Sequence, residues 1–254
     1  VAVIVSMLRA HRYGIDPPDK VIDLVLWVLP LSIVGARLYY VLFEWENYRN
    51  DPVTILYIHQ GGLAIHGGLI FGFATAIILA LHWKQSPLKW LDLAAPAIAI
   101  GQAIGRWGNY FNSEAHGTPT DLPWAIEVNG ELVHPTFLYE SVWCFLLYIF
   151  LIIVEKNRKR PFDGQILMLY LILYSFERFF VEGLRTDSLM IGPLRQAQVL
   201  SAFVFVIGII VYFVLRHRSR KIEITSAESP QPPAAVMLEN GGTSENMFVH
   251  IPGT

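Results

Sequence analysis

Gly105-Arg106-Trp107-Gly108-Asn109-Tyr110-Phe111-Asn112-Ser113-Glu114-Ala115-His116-Gly117 closes a long apolar run, Trp90 to Ile104. The run reads as a membrane span. The stretch after it gathers a guanidinium, two amides, a carboxylate and several glycines. A charge at the edge of a span is costly unless it is paired, faces a cavity or meets an anionic ligand. Glycine lets backbone or ligand approach closely, and Asn and Ser suit turns because their side chains bond nearby backbone. An Arg snorkelling into headgroups ahead of an ordinary turn accounts for Arg106 alone. The cluster as a whole points to a site for an anion at membrane level.

Composition carries the same message along the whole chain. The 254 residues are 54% hydrophobic and only 16% charged, with a mean hydropathy of +0.43. Soluble domains carry about a quarter charged residues. The apolar residues fall in long blocks, which means spans and not a globular core. The net charge of −2 carries no message about nucleic acid, and no nucleic-acid motif is present. The single cysteine, Cys144, sits in an apolar run, so no intrachain disulfide forms and its thiol reads as packing.

The remaining spans follow from the same pattern. Val1 to Leu8 is apolar but too short to cross a bilayer. It reads as the inner end of a span whose beginning is missing, and not as a signal peptide, because the basic residues follow it. Full spans are expected at Val21 to Phe43, Gly61 to Trp83, Trp90 to Ile104, Pro135 to Val154, Gly164 to Val181 and Ala197 to Leu215. Between the third and fourth lies a polar excursion, residues 112–134. Within it, Trp124 to Val128 followed by Asn129-Gly130 reads as a small hairpin. Residues 1–221 form one membrane domain, and residues 222–254, rich in Pro, Ser, Gly and Glu, read as a disordered tail. No internal repeat of the kind that marks many transporters is visible.

Charge sets the orientation. The loops Arg9 to Lys20, Lys84 to Lys89, Lys156 to Arg160 and Arg216 to Lys221 alternate with the others and hold most basic residues, so they and the carboxyl terminus belong on the cytoplasmic side. The basic residues elsewhere are Arg37, Arg49, Arg106, Arg178, Arg185 and Arg195, all arginine. Arginine is suited to planar, bidentate phosphate recognition, whereas lysine is a point charge.

Other constellations flank this one. Gly61-Gly62-Leu63-Ala64-Ile65-His66-Gly67-Gly68 sets one imidazole between glycine pairs. It is either a helix-packing face with His bonding across or a base beside a ligand. Arg178 and Glu182 are spaced to pair on one helix face, with Arg185 and Asp187 beyond them. His134-Pro135-Thr136-Phe137-Leu138-Tyr139-Glu140 opens a span, and Glu140 within it needs a partner such as an Arg. Arg37 sits in a span beside Tyr39 and Tyr40.

In these segments and their order, the chain resembles bacterial prolipoprotein diacylglyceryl transferases. The segments are Gly105 to Gly117, His66-Gly67-Gly68, His134 to Glu140, and Arg178-Phe179 with Glu182 and Arg185. The resemblance implies an all-α polytopic membrane protein, a seven-helix transmembrane bundle whose first helix is truncated here, with a small periplasmic head. The family's first span carries an active-site Tyr, and that segment is absent from this sequence. The resemblance also implies the bacterial cytoplasmic (inner) membrane, no cofactor and no metal. The reaction implied moves the diacylglyceryl group of phosphatidylglycerol to the lipobox cysteine of a preprolipoprotein signal peptide, forming a thioether and releasing glycerol phosphate. The catalytic residues expected are Arg106, Arg178 and His66. The substrate-binding residues expected are Arg106, Asn109, Asn112, Glu114, Gly117, Tyr139, Glu140, Glu182 and Arg185.

The residue chemistry suits such a reaction. Arginines at headgroup depth orient an anionic lipid and stabilise charge growing on a departing phosphate. The acceptor thiol must become thiolate, and a free Cys has a pKa of about 8.5. His66 is one candidate base, with another residue or bulk water as alternatives. Asn109 and Glu114 are expected to bond the glycerol head or to brace Arg106. Composition alone also admits an anion transporter or channel, a structural membrane subunit or a phospholipid-using transferase with another acceptor.

Overall fold

Lipid cannot hydrogen-bond an exposed backbone, so apolar runs of this length close their own N–H and C=O groups as helices. The computed structural model describes residues 1–157, 161–186, 188 and 190–228. In order these form α1 (Ala2–Ala10), α2 (Lys20–Phe43), a short α3 (Trp45–Tyr48), α4 (Ile65–His82), α5 (Pro87–Phe111), β1 (Ile126–Val128), β2 (Glu131–Val133), α6 (Thr136–Asn157), α7 (Gln165–Leu184), β3 (Met190–Ile191), β4 (Leu194–Arg195) and α8 (Gln196–Glu228). Among the described residues α2, α4, α6 and α8 are long and apolar enough to cross a membrane. Helices α5 and α7 are comparably long, at 25 and 20 residues, and carry buried polar side chains, Asp92 on α5 and Gln165, Ser175, Glu177 and Glu182 on α7. The chain is a mostly helical, multi-pass membrane protein.

Two boundaries differ from the sequence reading, each for a physical reason. Helix α4 begins at Ile65 and not at Gly61. Gly61 and Gly62 have φ of 92° and 73°, in the left-handed region, and their carbonyls accept from the Arg37 guanidinium. Helix α5 does not stop at Ile104 but runs through Arg106 and Asn109 to Phe111. The turn expected in that stretch starts only at Asn112, with Ser113 and Ala115 at φ of 53° and 56°. Arg106 and Trp107 find partners on α6 and α7, which offsets the weak helix propensity of Gly105 and Gly108 on either side of them.

The Asn129-Gly130 hairpin forms as read. Strands β1 and β2 pair antiparallel with Val128 opposite Glu131. The turn residues take φ of 53° and 87°, the signs a type I′ turn requires. Helix α8 continues past Lys221 to Glu228. The rest of the tail, residues 229–254, lies outside the described residues, as do residues 158–160 of the basic loop and Asp187.

Packing divides the helices into two groups. Helix α2 lies along α4 on a seam of small residues. A Cβ on Gly67 would come within 2.2 Å of the Gly35 carbonyl oxygen, and one on Gly35 within 2.3 Å of the Phe71 ring. Helices α5 to α8 form the second group, around Ala95, Ala99, Leu147, Leu151, Ile166 and Tyr170. Buried polar contacts fix one end of it. Both Asp92 carboxylate oxygens, on α5, accept backbone N–H bonds from Gly164 and Leu167 at the start of α7, each at 2.8 Å. These satisfy donors that a helix N-terminus otherwise leaves orphaned. Arg9 of α1 donates to Glu155 of α6 at 2.8 Å through Nε and to the Leu93 carbonyl of α5 at 2.8 Å.

Candidate active site

At the other end of α5 to α7, two arginines meet over one carboxylate. Glu140 stands one turn into α6, and its side chain is 2% exposed. Its Oε2 lies 2.5 Å from Nε of Arg106 on α5, and its Oε1 accepts from Nη1 of Arg178 on α7 at 2.5 Å. Arg178 also pairs through Nη2 with Glu182, one turn along its own helix, at 2.6 Å. The bridge therefore joins three helices. Two cations and two anions balance within it, as a buried ionic group must if it is to survive desolvation. The arginine side chains keep 21% and 16% exposure, so the cluster opens on one side.

A hydrogen-bonded column runs from Arg106 into the bundle. Its Nη2 donates to the Tyr174 hydroxyl at 3.3 Å. The Tyr174 ring stacks on Tyr170 with centroids 5.6 Å apart, and the Tyr170 hydroxyl donates to Gln102 at 2.9 Å. On the α6 side, the Trp107 indole N–H donates to Ser141, whose hydroxyl donates to the Ala103 carbonyl at 2.7 Å. These contacts set the rotation of α5 and so the aim of Arg106.

The expected site residues fall into separate groups. Arg106, Arg178, Glu140 and Glu182 come together. Asn109, Asn112 and Glu114 form a second, exposed cluster: both amides donate to Glu114 Oε1, at 3.0 and 3.3 Å. In the structure Arg106 is braced by Glu140 and Tyr174, and Glu114 is braced by the two asparagines. The Tyr139 hydroxyl accepts from the Trp124 indole at 2.8 Å and lies 3.3 Å from His134 Nδ1. The Gly117 N–H donates to the His134 carbonyl, and Gly117 also bridges Arg185 across the end of α7. His66 is exposed in the first turn of α4, with the Tyr39 ring 6.0 Å away, and it belongs to the α2–α4 group.

Three features escaped the sequence reading. Tyr174 joins the site, and a signal existed: Tyr170, Tyr174, Arg178 and Glu182 repeat every fourth residue, which is one helix face. Arg195 of β4 donates to the Glu182 carbonyl, closing the cluster from the α8 side. Glu177 of α7 is buried, and neither carboxylate oxygen has a hydrogen-bond partner among the described residues. Arg37 turns out to be a backbone clamp. It donates to the carbonyls of Thr54, Ile55, Gly61 and Gly62, with the Tyr48 ring centroid 5.1 Å from its guanidinium carbon.

Two apolar hollows of about 440 Å³ each flank α5. One lies between α5 and the α2–α4 pair, among Val28, Leu69, Phe73, Ala97 and Gly101. The other lies between α5 and α6, among Ile104, Trp107, Ser141 and Phe145. No group of three or more His, Cys, Asp or Glu side chains among the described residues is arranged to hold a metal ion. The arrangement places two arginines that keep partial exposure near apolar space, which suits a phosphate carrying hydrocarbon chains.

Comparison with known proteins gives the same direction. A family model described as prolipoprotein diacylglyceryl transferase matches residues 1–214. Similar proteins include the phosphatidylglycerol–prolipoprotein diacylglyceryl transferase of Finegoldia magna, 54% identical over 193 residues, 76% of this chain and 77% of that protein. The protein of that name from Clostridioides difficile is 44% identical over 220 residues, 87% of this chain and 88% of the relative. One from Clostridium botulinum is 46% identical over 213 residues, covering 80% and 83%.

Proposed function

The chain belongs to the prolipoprotein diacylglyceryl transferase family, and from that membership we propose that the Arg106–Glu140–Arg178 bridge holds the phosphate of phosphatidylglycerol while its diacylglyceryl group moves to a prolipoprotein cysteine. The protein is a membrane transferase of lipoprotein biosynthesis, with phosphatidylglycerol and prolipoprotein as its substrates. The finer reading places it in a bacterial inner membrane as a seven-helix bundle. Residues 112–134 then form a periplasmic head, the carboxyl terminus is cytoplasmic, and the acceptor is a lipobox signal peptide.

The chemistry follows from the cluster. The acceptor thiolate attacks the glyceryl carbon bonded to the phosphate oxygen. A C–S bond forms, the C–O bond breaks, and its electron pair leaves with glycerol phosphate. Charge grows on the departing phosphate, and fixed guanidinium donors in a partly dry site stabilise it most at that moment. A guanidinium has five N–H donors. Glu140 and Tyr174 engage Nε and Nη2 of Arg106, and Glu140 and Glu182 engage Nη1 and Nη2 of Arg178. In this proposal, Nη1 of Arg106 and Nε of Arg178 face the phosphate. Glu140 sets the spacing of the two cations, so no reorganisation is needed when the lipid arrives. The hollows beside α5 take the acyl chains. The exposed trio Asn109, Asn112 and Glu114 bonds the glycerol head, with Gly117, Tyr139 and Arg185 shaping the rim. His66 is retained as a candidate base that would act from the α2–α4 side.

The observation that carries this reading is the bridge itself: two arginines from different helices over one buried glutamate, open on one side. The family match, and not the charge pairing, is what disfavours an anion path. The test is mass spectrometry of a lipobox peptide after incubation with protein in phosphatidylglycerol vesicles. The expected product carries one diacylglyceryl thioether. With Arg106→Ala the product disappears while the protein still inserts. Retained transfer in that variant removes Arg106 from the mechanism.

A further inference from the structure

A second cationic feature lies far from the bridge. Helix α8 starts beside it, where Arg195 meets the Glu182 carbonyl. At 1.5 Å per residue, Arg216 stands roughly 30 Å further along the axis than Gln196, about the thickness of a bilayer's hydrocarbon core. Here Phe213, Arg216, His217 and Arg220 line a groove of about 430 Å³. Their spacing puts all four on one face of the helix. Along that face an exposed phenyl ring comes first and guanidinium groups follow. Among the described side chains that line the groove none is a carboxylate.

Two further observations shape it. The segment Gln196–Lys221 has a mean hydropathy of 2.6 with 11% of its most apolar window buried, so this helix turns most of its surface to hydrocarbon. The Ser219 hydroxyl donates to the Pro161 carbonyl, which ties this turn of α8 to the chain leaving α6 and fixes which way the arginine face points. In sequence, Pro161 directly follows Arg158-Lys159-Arg160.

We propose that this groove binds the phosphate of an anionic phospholipid in the leaflet opposite the transfer site, with Arg216 and Arg220 on the phosphate and Phe213 against the upper acyl chain. The order of chemistry along the helix, apolar and then cationic, matches a lipid whose phosphate lies just outside its chains. Two arginines one turn apart address a phosphate better than scattered lysines, and basic residues at the membrane surface attract anionic lipid. The bound lipid is not the donor, because it sits a membrane's thickness from Arg106.

The test uses the full chain in phosphatidylcholine vesicles doped with a photoreactive phosphatidic acid, followed by peptide mapping. The expected result is labelling of the α8 peptide containing Phe213, at least fivefold stronger than with a photoreactive phosphatidylcholine. It falls at least fivefold in Arg216→Gln/Arg220→Gln and is kept at half or more in Arg216→Lys/Arg220→Lys. Transfer to a lipobox peptide by the Gln variant stays within about twofold of the parent, which shows it is folded. Labelling that is equal for the neutral probe, or unchanged in the Gln variant, overturns the proposal. So does loss of labelling on adding millimolar glycerol phosphate, which makes the groove a site for soluble phosphate. Because the readout is labelling and not transfer, its failure is separable from failure of the transferase mechanism.

Discussion

Glu140 and Arg178 meet across α6 and α7 at 2.5 Å, and the same carboxylate reaches Arg106 on α5. One side chain thus sets the separation of two cations from different helices. Glu140 is expected to matter as much as either arginine. Glu140→Gln keeps the shape but leaves two partly buried guanidinium groups short of an anion. Breaking a buried pair by removing one partner costs about 3–5 kcal/mol. Thermal unfolding in detergent should show a clear drop in Tm, and transfer should fall by more than tenfold. Unchanged transfer would show that the spacing of the arginines is set by something else.

Arg106→Lys tests geometry against charge. Lysine keeps the cation but cannot offer Nε to Glu140 and a second nitrogen to Tyr174 in one plane, as Arg106 does. The expected outcome is a folded protein with kcat down by at least tenfold. Steady-state kinetics in phosphatidylglycerol micelles read this directly. Near-parental kcat would reduce the residue to a point charge.

Glu177 makes the opposite prediction. Both its oxygens are buried without a hydrogen-bond partner among the described residues. Exchanging such a group for a neutral isostere removes little. Glu177→Gln should therefore leave stability within about 1 kcal/mol and transfer within about twofold. A tenfold fall in kcat at unchanged KM would instead place this carboxyl among the groups that handle a proton.

Gly67→Ala should separate α2 from α4. Its added methyl would sit 2.2 Å from the Gly35 carbonyl oxygen and 2.4 Å from the Tyr39 Cβ, neither of which can swing away. Overpacking of this kind costs about 1–3 kcal/mol. Gly101→Ala, where nothing lies within 4 Å, is the control and should be neutral. Matched melting curves decide, and equal Tm values for the two would show that the seam is looser than it looks.

Much of this was legible in the chain before its fold was known. Apolar block length placed six long helices, because a bilayer-length run has only one way to satisfy its backbone. Asn129-Gly130 gave the hairpin through its left-handed turn residues. The pairing of Arg178 with Glu182 followed from helical spacing alone. Partners across helices were harder. Glu140 visibly needed a cation, but spacing along one helix does not say that two arginines from two others converge on it. The end of α5 was misplaced because Gly105, Gly108 and Asn109 are poor helix formers, and only contacts to α6 and α7 carry the helix through them. Arg37 showed as an intramembrane charge, yet its acceptors are backbone carbonyls, which leave no trace in side-chain identity.

The Gly117 amide donates to the His134 carbonyl, and the next amide, Thr118, donates to the Leu184 carbonyl. A Cβ at Gly117 would lie 2.6 Å from that of His134. Adjacent residues of the segment after α5 are therefore stitched to the start of α6 and to the close of α7. The segment between α5 and α6 acts as a strut and not as a flap. The helices bearing Glu140 and Glu182 are held at their working distance by backbone that belongs to neither.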